Sequence, residues 1–225
     1  WPLRSENILL PDQLDAETEH NYFYGMPTRY YAGIYWGFLW SYRHQQDIYV
    51  SLAFSRDGRD FTRPADRARL IDLGAEGSWD GGMVSANGWI EIGDEWWIYY
   101  TGTDGRHNVR EPVPGIGLAR LRKEGFASLR SPAGGGFVVT KTFQCPGGGL
   151  QVNAEASKGE LRVRVTDYER NVLPGFEQSA SIGGEAVRQD VVWDGASLAA
   201  LAGREIRLEF DMKGVVDLYG FCFTP

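Results

Sequence analysis

Hydrophobic and polar residues alternate along most of this chain. The period is the two residues of a β-strand, not the 3.6 residues of a helix. Residues 30–42 give the first clear case: a turn at Ala32-Gly33 is followed by Ile34, Trp36, Phe38 and Trp40 on one face. Residues 48–54 alternate again, and Ser55-Arg56-Asp57-Gly58 closes a turn before Phe61. A loop over 64–80 leads into a second cycle. It predicts a strand at 88–92, a Gly93-Asp94 turn, a strand at 95–101, a longer loop, a strand at 116–121, a Lys123-Glu124-Gly125 turn and a strand at 126–129. Helical periodicity is confined to weak candidates at 11–19 and 197–202.

The two cycles read as a repeat. Tyr24-Gly25-Met26 heads the first and Gly81-Gly82-Met83 the second, with Met83 lying 57 positions after Met26. Arg56-Asp57-Gly58 matches Lys123-Glu124-Gly125, and the extra residues fall in the loop after Thr101. Four strands per cycle at this period predict β-propeller blades, two of them in residues 1–130. A propeller closes with about four blades or more, so the architecture is incomplete, open or completed by another chain. Ser131-Pro132-Ala133-Gly134-Gly135-Gly136 then reads as a linker-like turn. After it, alternating segments at 137–143, 150–155, 160–167, 186–193, 206–212 and 215–223 predict a β-sandwich over 137–225, a packing or binding accessory in which Trp193 reads equally as core or as part of a sugar platform. The expected fold class is all-β: a partial β-propeller of about two blades followed by a β-sandwich.

Composition narrows the function. The 225 residues include 23 Lys and Arg against 30 Asp and Glu, a net charge of −7, which disfavours a nucleic-acid binder. Aromatic residues reach 13% beside 29 glycines, a mixture that suits tight turns and sugar-binding clefts. Two cysteines, Cys145 and Cys222, are too few for a disulfide scaffold or a Cys-rich zinc site, and their pairing is left open. No window approaches the ~18 apolar residues of a membrane span. The chain opens at Trp1-Pro2, as if cut from something longer, and shows no signal peptide. An extracellular or periplasmic location is slightly favoured.

The runs Ser78-Trp79-Asp80-Gly81-Gly82-Met83-Val84, Trp97-Ile98-Tyr99-Tyr100-Thr101-Gly102, Gly105-Arg106-His107, Gly115-Ile116-Gly117-Leu118-Ala119 and Lys123-Glu124-Gly125-Phe126 carry a resemblance. They are similar to the last blade of the invertase, levansucrase and arabinanase superfamily, glycoside hydrolase families 32, 43 and 68. Tyr24-Gly25-Met26-Pro27 and Ser55-Arg56-Asp57-Gly58 resemble the preceding blade. The resemblance implies the C-terminal part of a five-bladed propeller glycosidase with a β-sandwich. The chain departs from family 32 in its chemistry: the Asn-Asp-Pro, Arg-Asp-Pro and Glu-Cys strings that carry the acidic residues there are all missing.

Blade topology puts the start of the inner strand and the loop between the second and third strands on one face. The first cycle places Glu19, His20, Tyr22, Tyr24, Arg43, His44 and Asp47 there, and the second places Trp79, Asp80, Asp104, Arg106 and His107. Asp80 is the best catalytic carboxylate, with Asp104, Asp47 or Glu19 as a second for acid–base or nucleophilic work. Tyr24, Arg43, His44, Asp47, Trp79, Arg106 and His107 are the expected substrate-binding residues. His20, His44 and His107 have ligand character, but their spacing matches no metal pattern. No metal or other cofactor is expected. Trp40 and Trp97 read as packing between blades.

The sequence therefore predicts a glycoside hydrolase or transglycosidase-like protein. The alternative is a non-catalytic carbohydrate-binding or assembly module. The expected partners are a carbohydrate and a second copy of the chain, which would cover aromatic blade faces such as the hairpin through Trp36 and Trp40. Nucleic acid and membrane are not expected.

Overall fold

The computed structural model describes residues 7–64 and 66–225. Trp1 and Pro2 lie outside these. The regular structure of the described residues is nearly all β, in sheets that do not close into a barrel. The chain divides into two compact units, Trp1–Leu121 and Arg122–Pro225.

In the first unit a short helix, α1 (Gln13–Glu17), precedes the strands. Asp12 caps it through the Leu14 and Asp15 N–H groups, and the Asp15 carboxylate returns a bond to the Asp12 N–H, a reciprocal cap for a helix with little room for internal bonds. Asp15 is buried and held by both guanidinium nitrogens of Arg63 at 2.6 Å. Nine strands follow: β1 (Tyr22–Gly25), β2 (Thr28–Tyr31), β3 (Ile34–Tyr42), β4 (Ile48–Ser55), β5 (Arg69–Ile71), β6 (Met83–Ala86), β7 (Ile90–Ile92), β8 (Glu95–Thr103) and β9 (Pro114–Arg122). β1 and β2 both pair with β3, so they are one strand interrupted at Met26-Pro27; β6 and β7 share β8 in the same way. A single parallel bridge, Ile48 to Met83, joins the two groups.

The core lies between these groups. Phe38 stacks on Trp89 at 5.8 Å, Trp89 packs on Trp96 at 4.6 Å, and Tyr31 meets Trp96 edge-on. Trp40 packs here as expected and donates from its indole N–H to the Ala86 carbonyl at 3.0 Å. Trp97 does not: it is half-buried beneath the Arg120 guanidinium, 4.5 Å from the ring centroid.

The second unit contains β10 (Leu129–Arg130), β11 (Gly136–Val139), β12 (Phe143–Gln144), β13 (Gly149–Thr166), β14 (Ile182–Asp190) and β15 (Glu205–Thr224), with a 3-10 turn at Leu198–Leu201. The segment expected to finish the second cycle, 126–129, instead leads into β10, which pairs with β15. The partners that draw it there lie far along the chain. Arg130 grips Asp217 at 2.8–3.1 Å, and the Ser131 hydroxyl donates to the Gly214 carbonyl at 2.8 Å. The linker-like run at 131–136 is a turn inside this unit, closed by the Gly135 N–H on the Pro132 carbonyl.

Four of the separate short strands expected here are two long ones. Segments 150–155 and 160–167 merge in β13, and 206–212 and 215–223 merge in β15. Gly159 faces Gly214, so turn signals in both strands fall opposite one another and the pairing runs on through them. Gly214 takes φ 69°, a conformation that glycine adopts without strain. A bulge in β13 just before this point also flips its buried side. Leu150, Val152, Ala154 and Ala156 face the core before it, and Leu161, Val163 and Val165 after it. Trp193 is in that core and donates to the Val163 carbonyl at 3.0 Å. Cys145 is buried, Cys222 half-buried, and both are free thiols.

Candidate functional site

The loops expected to share a face do meet. The His107 N–H donates to the Gln46 carbonyl at 2.7 Å, and Arg106 reaches the Gln46 side chain at 3.3 Å. Around this junction His107 lies 4.9 Å from the Tyr42 ring and 5.4 Å from Tyr24, with Nε2 3.2 Å from the Tyr24 hydroxyl. Tyr22 packs against Tyr42 and His44 at 5.9 and 5.7 Å. Tyr24, His44, Arg106 and His107 are exposed and available to a ligand.

Other expected residues turn inward or are already engaged. Asp47 is buried, with His20 Nε2 at 2.7 Å from Oδ1 and Arg43 on Oδ2. Burial would raise its carboxyl, but the bonds to His20 and Arg43 hold it below the usual carboxylate range. The other His20 nitrogen faces the Thr18 carbonyl at 2.7 Å. Asp47, Arg43 and His20 thus fasten the base of the loop. Glu19 is exposed, with Arg43 at 3.7 Å. Asp104 accepts the Val113 N–H at 2.8 Å and so shapes its own loop. Among the described residues no cluster of three or more His, Cys, Asp or Glu could hold a metal ion.

Trp79 and Asp80 belong to a second cluster. Asp80 Oδ1 accepts from the Ser78 hydroxyl at 2.9 Å, and Oδ2 accepts from the Tyr100 hydroxyl at 2.9 Å. Burial and the Asp80 carboxylate together push the Tyr100 phenol up to about 12, so at neutral pH it is a fixed donor. Trp79 stacks on Tyr100 with 5.7 Å between centroids and 26° between planes. The two rings lie over glycines of the paired strands β8 and β9. A Cβ at Gly115 would sit 2.5 Å from the Trp79 ring, one at Gly102 2.7 Å from it, and one at Gly117 2.3 Å from Tyr100. Trp79 nevertheless remains 43% exposed.

Tyr100 was not among the expected site residues. The signal for it was present: Tyr100-x-Gly102 in one strand and Gly115-x-Gly117 in the next put ring and bare backbone on the same face. Beside the cluster lies a polar hollow of about 370 Å³, whose lining includes Gly74, Glu76, Gly81, Gly82, Asp104 and Arg106. It joins the segment before β6 to the loop after β8. The arrangement offers an aromatic surface, a fixed carboxylate beside it, and a polar recess of ligand size.

No protein-family model matches the chain, and no curated protein matches it. Among solved structures it is similar to an exo-β-1,3-galactanase from Phanerochaete chrysosporium with β-1,3-galactotriose, at 10% identity, covering 88% of this chain and 57% of that one, with a TM-score of 0.26. The same galactanase with galactose gives 11%, 88%, 57% and 0.26. A structure described as a glycoside hydrolase gives 11%, 89%, 59% and 0.28. The chain spans under two thirds of the length of these proteins. Likeness at this level leaves the reading of the site to its own residues.

Proposed function

We propose that this chain binds carbohydrate without cleaving it, through the Trp79–Tyr100 stack and the hollow beside Asp80. The observation that carries the reading is Trp79: a partly exposed indole laid on glycine backbone, stacked on a second ring, with an oriented carboxylate next to it. The C–H faces of a sugar ring pack on such a surface, and its hydroxyls need acceptors such as Asp80 close by. Glycoside hydrolysis needs a pair of carboxylates with separate roles. Asp80 has a donor on each oxygen, Asp104 caps a backbone N–H and Glu19 pairs with Arg43, which favours binding over turnover. In this reading the first unit is an incomplete propeller of blade-like sheets and the second a β-sandwich accessory.

The test is calorimetric titration with a panel of neutral oligosaccharides that includes galactose and β-1,3-galactotriose, with product analysis of the same mixtures. We expect saturable binding to at least one sugar, at least ~10-fold weaker in Trp79→Ala, with no product released. Release of reducing sugar by the wild type that disappears in Asp80→Asn would replace binding by hydrolysis. Binding untouched by Trp79→Ala would remove the platform from the account.

A further inference from the structure

The strands that carry the platform on one face carry a bare apolar surface on the other. Ile90 and Ile92 of β7 pair with Trp97 and Glu95 of β8, so these side chains share a face. Tyr99 follows Trp97 on the same side of β8. Arg120 of β9 reaches over Trp97, which places Ile116 and Leu118, of the same parity, on that face too. The apolar residues Ile90, Ile92, Tyr99, Ile116 and Leu118 are between 36% and 80% exposed, Ile116 the most. Isolated exposed apolar residues are ordinary, but five on three adjacent strands form a continuous patch.

We infer that this face of β7, β8 and β9 is a docking surface for a second copy of the chain. The inference does not rest on sugar binding, which uses the opposite side of the strands. Two observations select the partner. The charged groups around the face are of both signs: Glu95 accepts from the Trp97 indole N–H at 2.8 Å while Arg120 covers the ring, and Arg29, which lines a hollow with Ile90, Trp97 and Tyr99, stands 3.9 Å from Glu91. The surface therefore shows no single sign of charge that would call for a nucleic acid or a charged peptide. Its area also fits. At these exposed fractions the five residues make a patch on the order of 500 Å², within the range of the largest apolar patches of monomers, which are often functional. Two copies related by a two-fold axis would bury about 1,000 Å², the least that a specific interface requires. The hairpin through Trp36 and Trp40, the other face expected to seek a partner, packs in part within the chain through the bond of Trp40 to Ala86.

Sedimentation equilibrium of the full chain from about 1 to 100 µM tests this. The mass should rise with concentration toward twice 25.2 kDa. Ile116→Glu should raise the dimer dissociation constant by roughly 100-fold, since the two-fold axis brings like charges together. Ile92→Lys should act in the same direction from β7. Phe137→Glu, at an equally solvent-facing 65% exposed position in the second unit, should leave the dimer intact. Far-ultraviolet circular dichroism should be unchanged in all three. A wild-type chain that stays monomeric over the whole range overturns the inference. So does a dimer that survives both Ile116→Glu and Ile92→Lys, because its interface would lie elsewhere.

Discussion

Tyr100 fixes Asp80, and the bond has a pH signature. In the folded chain the phenol is raised from 10.0 to about 12, by burial first and by Asp80 second. A group held protonated in this way contributes stability that is fully present below pH 10 and lost as pH rises through about 12. Tyrosinate absorbance should show one late component near pH 12 that is missing in Tyr100→Phe. At pH 8 the variant should be less stable to urea by about 1–2 kcal/mol, because Asp80 loses a donor at a half-buried site. A late component that persists in the variant would mean another tyrosine is responsible. At this scale the sequence was partly legible. The meeting of the 42–47 and 104–108 loops followed from strand order. The inward turn of Asp47 did not, because its partner His20 lies 27 positions away and only packing decides which of the two faces solvent. Glu209 was unreadable for the same reason. It is buried at 2%, with Arg170 holding its carboxyl down against burial, and Arg164 assisting.

Strand type and spacing were visible in the alternation, yet element ends were not. Turn-like glycines at 159 and 214 suggested breaks, whereas the two strands stay paired through the facing glycines. The fate of 126–129 depended on Asp217, far along the chain, which no local pattern reports. Glycines in β8 and β9 serve differently, by leaving room for rings. In Gly117→Ala the new methyl would lie 2.3 Å from Tyr100 and force the ring off its seat. The expected cost is about 1–3 kcal/mol, with sugar affinity at least ~10-fold weaker as Trp79 loses its stacking partner. Gly220→Ala in β15 meets nothing within 4 Å and should stay within about 0.5 kcal/mol of the wild type in denaturant titrations. Equal affinities in the two variants would detach the glycine floor from binding.

The described residues form two cores, one between the two strand groups of the first unit and one along β13 and β15 in the second. The two aromatic clusters built around the expected site residues belong to the first: the Tyr22, Tyr24, Tyr42, His44 and His107 group, and the Trp79–Tyr100 stack with Asp80. The composition suggested such surfaces, but only the strand pairing shows which ring rests on glycine with a carboxylate at its side. The crystal structure of the chain with a bound oligosaccharide from the titrated panel separates the two most directly. The account predicts a sugar ring parallel to the Trp79 indole, about 4 Å away, with a hydroxyl donating to Asp80. An ordered sugar seated on the Tyr24 and His107 cluster, with Trp79 bare, would contradict it.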